Sequence, residues 1–169
     1  MKKKESKTII KPYKIVRQKN ETPDDAMEAL TFLRRVVGDS SDVHIKSNGI
    51  EKDRDFLKKP QNIVGQMLRV QEQIGITGDK VGRRVYVMVY NFPKNMYDFS
   101  VEDAKRLENE LIMKYPNFQS VGVIVDKQDA VTIGLAFNNF SEDGQKMTKV
   151  FRPYCASNIY NKIQREKND

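Results

Sequence analysis

Val131-Thr132-Ile133-Gly134-Leu135-Ala136-Phe137-Asn138 alternates with period two. Val131, Ile133, Leu135 and Phe137 are large and apolar, whereas Thr132, Gly134, Ala136 and Asn138 are small or polar. Successive side chains of a strand point to opposite faces, so one face of this strand is expected to pack on helices and the other to be nearly bare. Gln119 to Val125 reads as its hairpin partner, joined through the polar turn Asp126-Lys127-Gln128-Asp129. Arg84 to Phe92 (RVYVMVYNF) is almost wholly apolar, as a central strand covered on at least one side should be.

Helical periodicity flanks this nucleus. Thr22-Pro23-Asp24-Asp25 is a helix start, and Ala26, Ala29, Leu30, Leu33 and Val37 form a stripe that ends at Gly38. Ile63, Met67, Val70 and Ile74 mark a second amphipathic helix, closed by Gly75 and Gly78. Ser100-Val101-Glu102-Asp103 opens a third in a capping arrangement, with Ala104, Leu107, Leu111, Ile112 and Tyr115 buried and Pro116 as the stop. Gly38 to Asp55 reads as a polar loop, the segment around Lys146 to Arg152 as extended, and Ser157 to Arg165 as a short terminal helix. Thr8 to Arg17 reads as a strand, with Pro12 implying an edge or a bulge. Its lysines suit either a phosphate backbone or the solubility of an ordinary edge. The expected fold is therefore α+β: a single domain with a central antiparallel sheet and helices on one face. It spans residues 8–165, with a basic tail at 1–7 and a polar tail at 166–169.

Composition bounds the function. The chain has 169 residues, 38% hydrophobic and 31% charged, with no apolar run long enough for a membrane span. A cytoplasmic, membrane-free protein is the expectation. One cysteine, Cys155, rules out an internal disulfide or a multi-cysteine zinc site. Thirty Lys and Arg against 23 Asp and Glu give a formal charge of +7, which favours anionic partners, nucleic acid above all. The candidate phosphate contacts are Lys11, Lys14, Arg17, Lys80, Arg83, Arg84, Lys146, Lys149 and Arg152. Paired arginines at a strand entrance, Arg83 and Arg84, suit a phosphate because each guanidinium fork meets two oxygens.

GRRVYVMVYNF, a helix, and then VGVIVDKQDAVTIGLAFNNFSEDGQKM resemble the core of the mobilisation relaxases, the DNA-nicking enzymes of conjugative plasmids, with the HUH endonuclease fold. The resemblance covers roughly residues 26 to 152. Laid on this chain without a gap, the family's Tyr-His-x-x-x-Ser-Phe block falls on Tyr86, Val87, Asn91 and Phe92. Its metal-binding histidines fall on Val125, Thr132 and Gly134, its turn aspartate on Lys127 and its closing Asn on Asn138. The family's nucleophilic tyrosine falls on Phe32, within Ala29-Leu30-Thr31-Phe32-Leu33. The resemblance thus implies a bacterial, plasmid-borne framework without its chemistry. Phe32 has no hydroxyl to attack a phosphodiester, and Val87, Val125, Thr132 and Gly134 offer no imidazole. His44 is the chain's one histidine and has no companions at metal-binding spacing. No metal, no cofactor and no catalysis are expected.

Three functions remain open at this point. The first is a non-catalytic, relaxase-like DNA-binding pseudoenzyme serving conjugation or mobilisation, binding single- or double-stranded DNA through its basic surface. The second is an RNA-binding module with the related topology of an RRM, in which Tyr86 and Tyr90 alternate as stacking aromatics would. The third is an accessory factor whose bare sheet face docks a protein such as an intact relaxase.

Overall fold

The sheet grows around the alternating strand. In the computed structural model, which describes residues 14–16, 23–38, 43–51, 59–77 and 82–168, β5 (Ala130–Asn138) lies between β3 (Val85–Pro93) and β4 (Ser120–Asp126). β1 (Lys14–Val16) pairs with β3, and β2 (Val43–Asn48) pairs with β4. The order β1-β3-β5-β4-β2 is antiparallel throughout. The described residues also form five helices: α1 (Pro23–Val37), α2 (Pro60–Gln73), α3 (Val101–Lys114), α4 (Met147–Val150) and α5 (Tyr154–Lys167). The chain is α+β, and its antiparallel sheet is built on the hairpin and the apolar strand read from the sequence.

Local chemistry explains the helix ends. Ser100 caps α3, its hydroxyl accepting from the Asp103 N–H while the Asp103 carboxylate accepts from the Ser100 N–H. Asp24 and Asp25 in the first turn of α1, and Arg34 and Arg35 in its last, suit the helix dipole. Gly38 then ends the helix at φ 56° with its N–H on the Arg34 carbonyl.

The helices lie on both faces of the sheet, not on one. Tyr86, Met88, Tyr90 and Phe92 of β3 and Ile133, Leu135 and Phe137 of β5 pack beneath α3, α4 and α5. On the opposite face, Val85, Val87, Val121, Val123 and Ala136 pack against Ala26, Ala29, Leu30 and Leu33 of α1 and against Ile63, Val64 and Met67 of α2. The small residues of β5 are seats for α1. A Cβ built on Gly134 would overlap Leu33 Cδ1 and stand 3.1 Å from Val123 Cγ2.

Other boundaries shift for identifiable reasons. β2 runs through the segment read as a polar loop, because an edge strand leaves much of its surface wet and carries no clear alternation: its burial alternates poorly and Ile45 is 38% exposed. Lys146 to Arg152 contains the helical turn α4 rather than an extended segment, and α5 starts before Ser157 and ends after Arg165. The tail 1–7, the capping Thr22 and the closing Gly78 lie outside the described residues.

Candidate nucleic-acid interface

The positions that the relaxase resemblance singled out converge on one face. Val125 is opposite Thr132, Val123 opposite Gly134, and Val87 opposite Ala136, so Val87, Val125, Thr132 and Gly134 share the face that packs on α1. Val87 and Val125 are fully buried, and Thr132 donates its hydroxyl to Asn91 Oδ1 at 2.8 Å. The expectation of an open sheet face is overturned here. Leu33 and its neighbours fill the space above Gly134, and neither a metal nor a partner backbone has room to approach. Phe32 lies in α1, with its side chain outside the described residues. Among the described residues no group of three His, Cys, Asp or Glu side chains is placed to hold a metal. His44 sits exposed on β2, and Asp126 of the hairpin turn is paired with Lys94 at 2.8 Å.

The other face encloses the tyrosines. Tyr90 is fully buried with its hydroxyl on Met88 Sδ at 3.4 Å, and burial, with the neighbouring Tyr86 adding to it, pushes that hydroxyl's pKa far up. Tyr86 is 8% exposed, its ring 5.5 Å from that of Phe151. Neither ring is open for a base to stack on, so the sheet lacks the aromatic platform that an RRM-like reading requires.

The candidate surface is instead at the sheet end where β3 begins and β5 finishes. Asn138, the last residue of β5, is fully buried and uses every hydrogen-bonding position of its amide. Its Oδ1 accepts from Gln71 Nε2 at 2.8 Å and from the Phe140 N–H at 3.0 Å. Its Nδ2 donates to the Met67 carbonyl at 3.1 Å and to Gln119 Oε1 at 2.9 Å. Arg84 belongs to this buried knot. It is 4% exposed, with a guanidinium nitrogen 3.0 Å from Gln71 Oε1. The reading of Arg84 as half of a phosphate clamp is thereby corrected: a guanidinium turned inward holds α2 to the sheet.

Arg83 points the other way. Its guanidinium stands 4.9 Å from the centre of the Tyr86 ring, and its buried Nε has no hydrogen-bond partner among the described residues. Asn139 joins it to α4. The Asn139 amide donates to the Arg83 carbonyl at 2.7 Å and accepts from the Thr148 N–H at 3.0 Å. Arg83, Lys146, Lys149 and Arg152 are thus brought to one end of the sheet, with Lys149 and Arg152 exposed and a guanidinium nitrogen of Arg152 2.8 Å from the Lys149 carbonyl. Among the described residues none of these four cations enters a salt bridge. On the α3 and α5 side, by contrast, Lys105 pairs with Glu102, Lys162 with Glu110 and Lys167 with Asp103.

The remaining candidates divide. Lys11, Arg17 and Lys80 lie outside the described residues, as does the side chain of Lys14, whose backbone pairs with Val89 at the sheet edge. Sequence reasoning missed Asn139, which positions Arg83 beside α4, and Gln71, which binds Arg84. Two consecutive asparagines closing an apolar strand are the only signal that marks the place. No helix of the described residues is long and apolar enough to cross a membrane. In comparisons with protein-family models, curated proteins and solved structures, no match emerges.

Proposed function

We propose that this chain is a non-catalytic, relaxase-like DNA-binding protein that serves a conjugative or mobilisable element as a cytoplasmic accessory or regulatory factor. The observation that carries the reading is the cluster of Arg83, Lys146, Lys149 and Arg152, gathered at one sheet end without ion-pair partners among the described residues. Cations left unneutralised on a protein of formal charge +7 suit a polyanion, because each phosphate contact releases condensed counterions. The relaxase resemblance supplies the class of polyanion. Its vacated histidine positions share one face and are all buried, Val87 and Gly134 against α1, which supports binding without cleavage. The experiment is fluorescence anisotropy with labelled DNA at rising salt. The reading expects binding at low salt that weakens steeply as salt increases; no binding at low salt, with an intact relaxase bound instead, would transfer the role to protein docking.

A further inference from the structure

Beside the basic cluster, the same sheet end holds a recess of about 380 Å3. The strand order sets the arrangement: Arg83 precedes β3, Asn139 and Phe140 follow β5, Phe118 and Gln119 precede β4, and Asn48 ends β2. Neighbouring strands lie about 4.8 Å apart, so cations and recess follow one another within about three strand widths. The link between them is Phe140, which lines the recess while Lys146 Nζ stands 5.8 Å from its ring centre.

The recess is lined by both apolar and acceptor groups. Phe118 and Phe140 are buried in its lining and Val70 is half-buried, whereas Glu142 and Asp143 are exposed and Asn117 stands beside Phe118 in the chain. The other amides on its wall are engaged. Asn48 Nδ2 donates to the Pro116 and Phe118 carbonyls, both at 3.1 Å. Gln119 donates to the Gly49 carbonyl at 3.0 Å and accepts from Asn138 at 2.9 Å. Among the described residues, the lining groups left for a ligand are the Asn117 amide, the Glu142 carboxylate and the second oxygen of Asp143, whose first accepts from Ser141. Ionised carboxylates only accept hydrogen bonds.

Two carboxylates beside a phosphate site would weaken the binding of a polyanion unless the ligand brought hydrogens to them. We infer that the recess holds one unpaired base of a bound DNA strand and selects bases with an exocyclic amino group, adenine, cytosine or guanine, over thymine. Cytosine N4, adenine N6 and guanine N2 present N–H groups to an acceptor. Thymine's Watson–Crick edge has a single N–H flanked by two carbonyl oxygens, which the carboxylates repel. The flat ring packs against Phe118 and Phe140, and the sugar leads the phosphates to Lys146 and its neighbours. This inference rests on the DNA-binding reading and adds to it the kind of base preferred.

The test compares short labelled oligo-dC, oligo-dA and oligo-dT with the wild-type protein and with Glu142→Gln/Asp143→Asn. Both substitutions lie on an exposed turn, and thermal melts check that the fold is kept. Wild type should prefer oligo-dC and oligo-dA over oligo-dT by about tenfold, the scale of one good base contact. The variant should bind oligo-dT more tightly than wild type does, with the preference reduced to below about twofold. Equal or tighter wild-type binding of oligo-dT, or a preference that survives the double substitution, overturns the base-selection inference while leaving DNA binding intact. Failure of every oligonucleotide to bind at low salt removes the DNA-binding reading itself, and this inference with it.

Discussion

Leu33 Cδ1 occupies the space that a Cβ on Gly134 would need. This one approach seats α1 on the central strand and closes the space above Gly134. Gly134→Ala should therefore destabilise the fold by about 1–3 kcal/mol through overpacking. Leu33→Ala alone should cost about 2–5 kcal/mol as a cavity. The pair should cost less than the sum, because each change relieves the other. Urea unfolding of the single and double variants measures the coupling, and strict additivity would contradict the close approach. Introducing Thr132→His with Gly134→His should unfold the protein as badly as Ile133→His does.

The sequence is most legible where side-chain period and burial coincide. β3, β4 and β5 announce themselves because their cores are apolar and β-branched, and α3 because Ser100 and Asp103 form a reciprocal cap. The two-sided burial of the sheet is not legible. A small residue on a strand face reads equally as open space or as a seat for a close-packed helix, and only the position of Leu33 decides between them. Arg84 escapes a sequence reading for a related reason: adjacent arginines at a strand entrance point to opposite sides, and residue type does not say which side is water. In the basic cluster, Lys149 and Arg152 can be named from charge, but the contact that brings Arg83 to them passes through Asn139, an uncharged residue 56 positions from Arg83 in sequence.

The buried knot at the sheet end makes a second prediction. Gln71→Leu leaves the Arg84 guanidinium without Gln71 Oε1 and Asn138 Oδ1 without Gln71 Nε2. Each lost hydrogen bond costs about 0.5–1.5 kcal/mol, and about 1.5–3 kcal/mol where one partner is charged. The variant should lose at least about 2 kcal/mol in chemical denaturation, whereas exposed Arg152→Ala should stay within about 0.5 kcal/mol of wild type. A Gln71→Leu variant as stable as wild type would contradict the assignment of Arg84 to the interior.

A third prediction concerns acid. Burial works to raise the Asp103 carboxyl, but hydrogen bonds from Lys167 and the Ser100 backbone outweigh it and hold the pKa below the ordinary value of 3.8. A folded-state pKa below the unfolded one adds stability above the unfolded value, and that stability is lost as pH falls through the folded pKa. Lys167→Met should therefore lower the melting temperature near neutral pH, and its deficit against wild type should shrink below about pH 4. A deficit independent of pH would contradict the Asp103–Lys167 pairing.

A fourth prediction concerns chemistry. With Val87, Val125, Thr132 and Gly134 at the positions where the relaxase resemblance expects imidazoles, and all four buried, supercoiled plasmid incubated with magnesium or manganese should remain uncut. Metal-dependent nicking abolished by changing one tyrosine would contradict the non-catalytic reading.

The most direct test of the central claim compares the salt dependence of DNA affinity in two double variants. Lys149→Ala/Arg152→Ala removes the exposed cations of the cluster, and Lys105→Ala/Lys162→Ala removes ion-paired cations from the α3 and α5 side. The account predicts that the first pair flattens the log–log slope by about 0.7 to 0.9 for each phosphate the protein no longer neutralises, and that the second leaves it unchanged. Equal slopes for wild type and Lys149→Ala/Arg152→Ala would contradict the assignment of this sheet end to DNA.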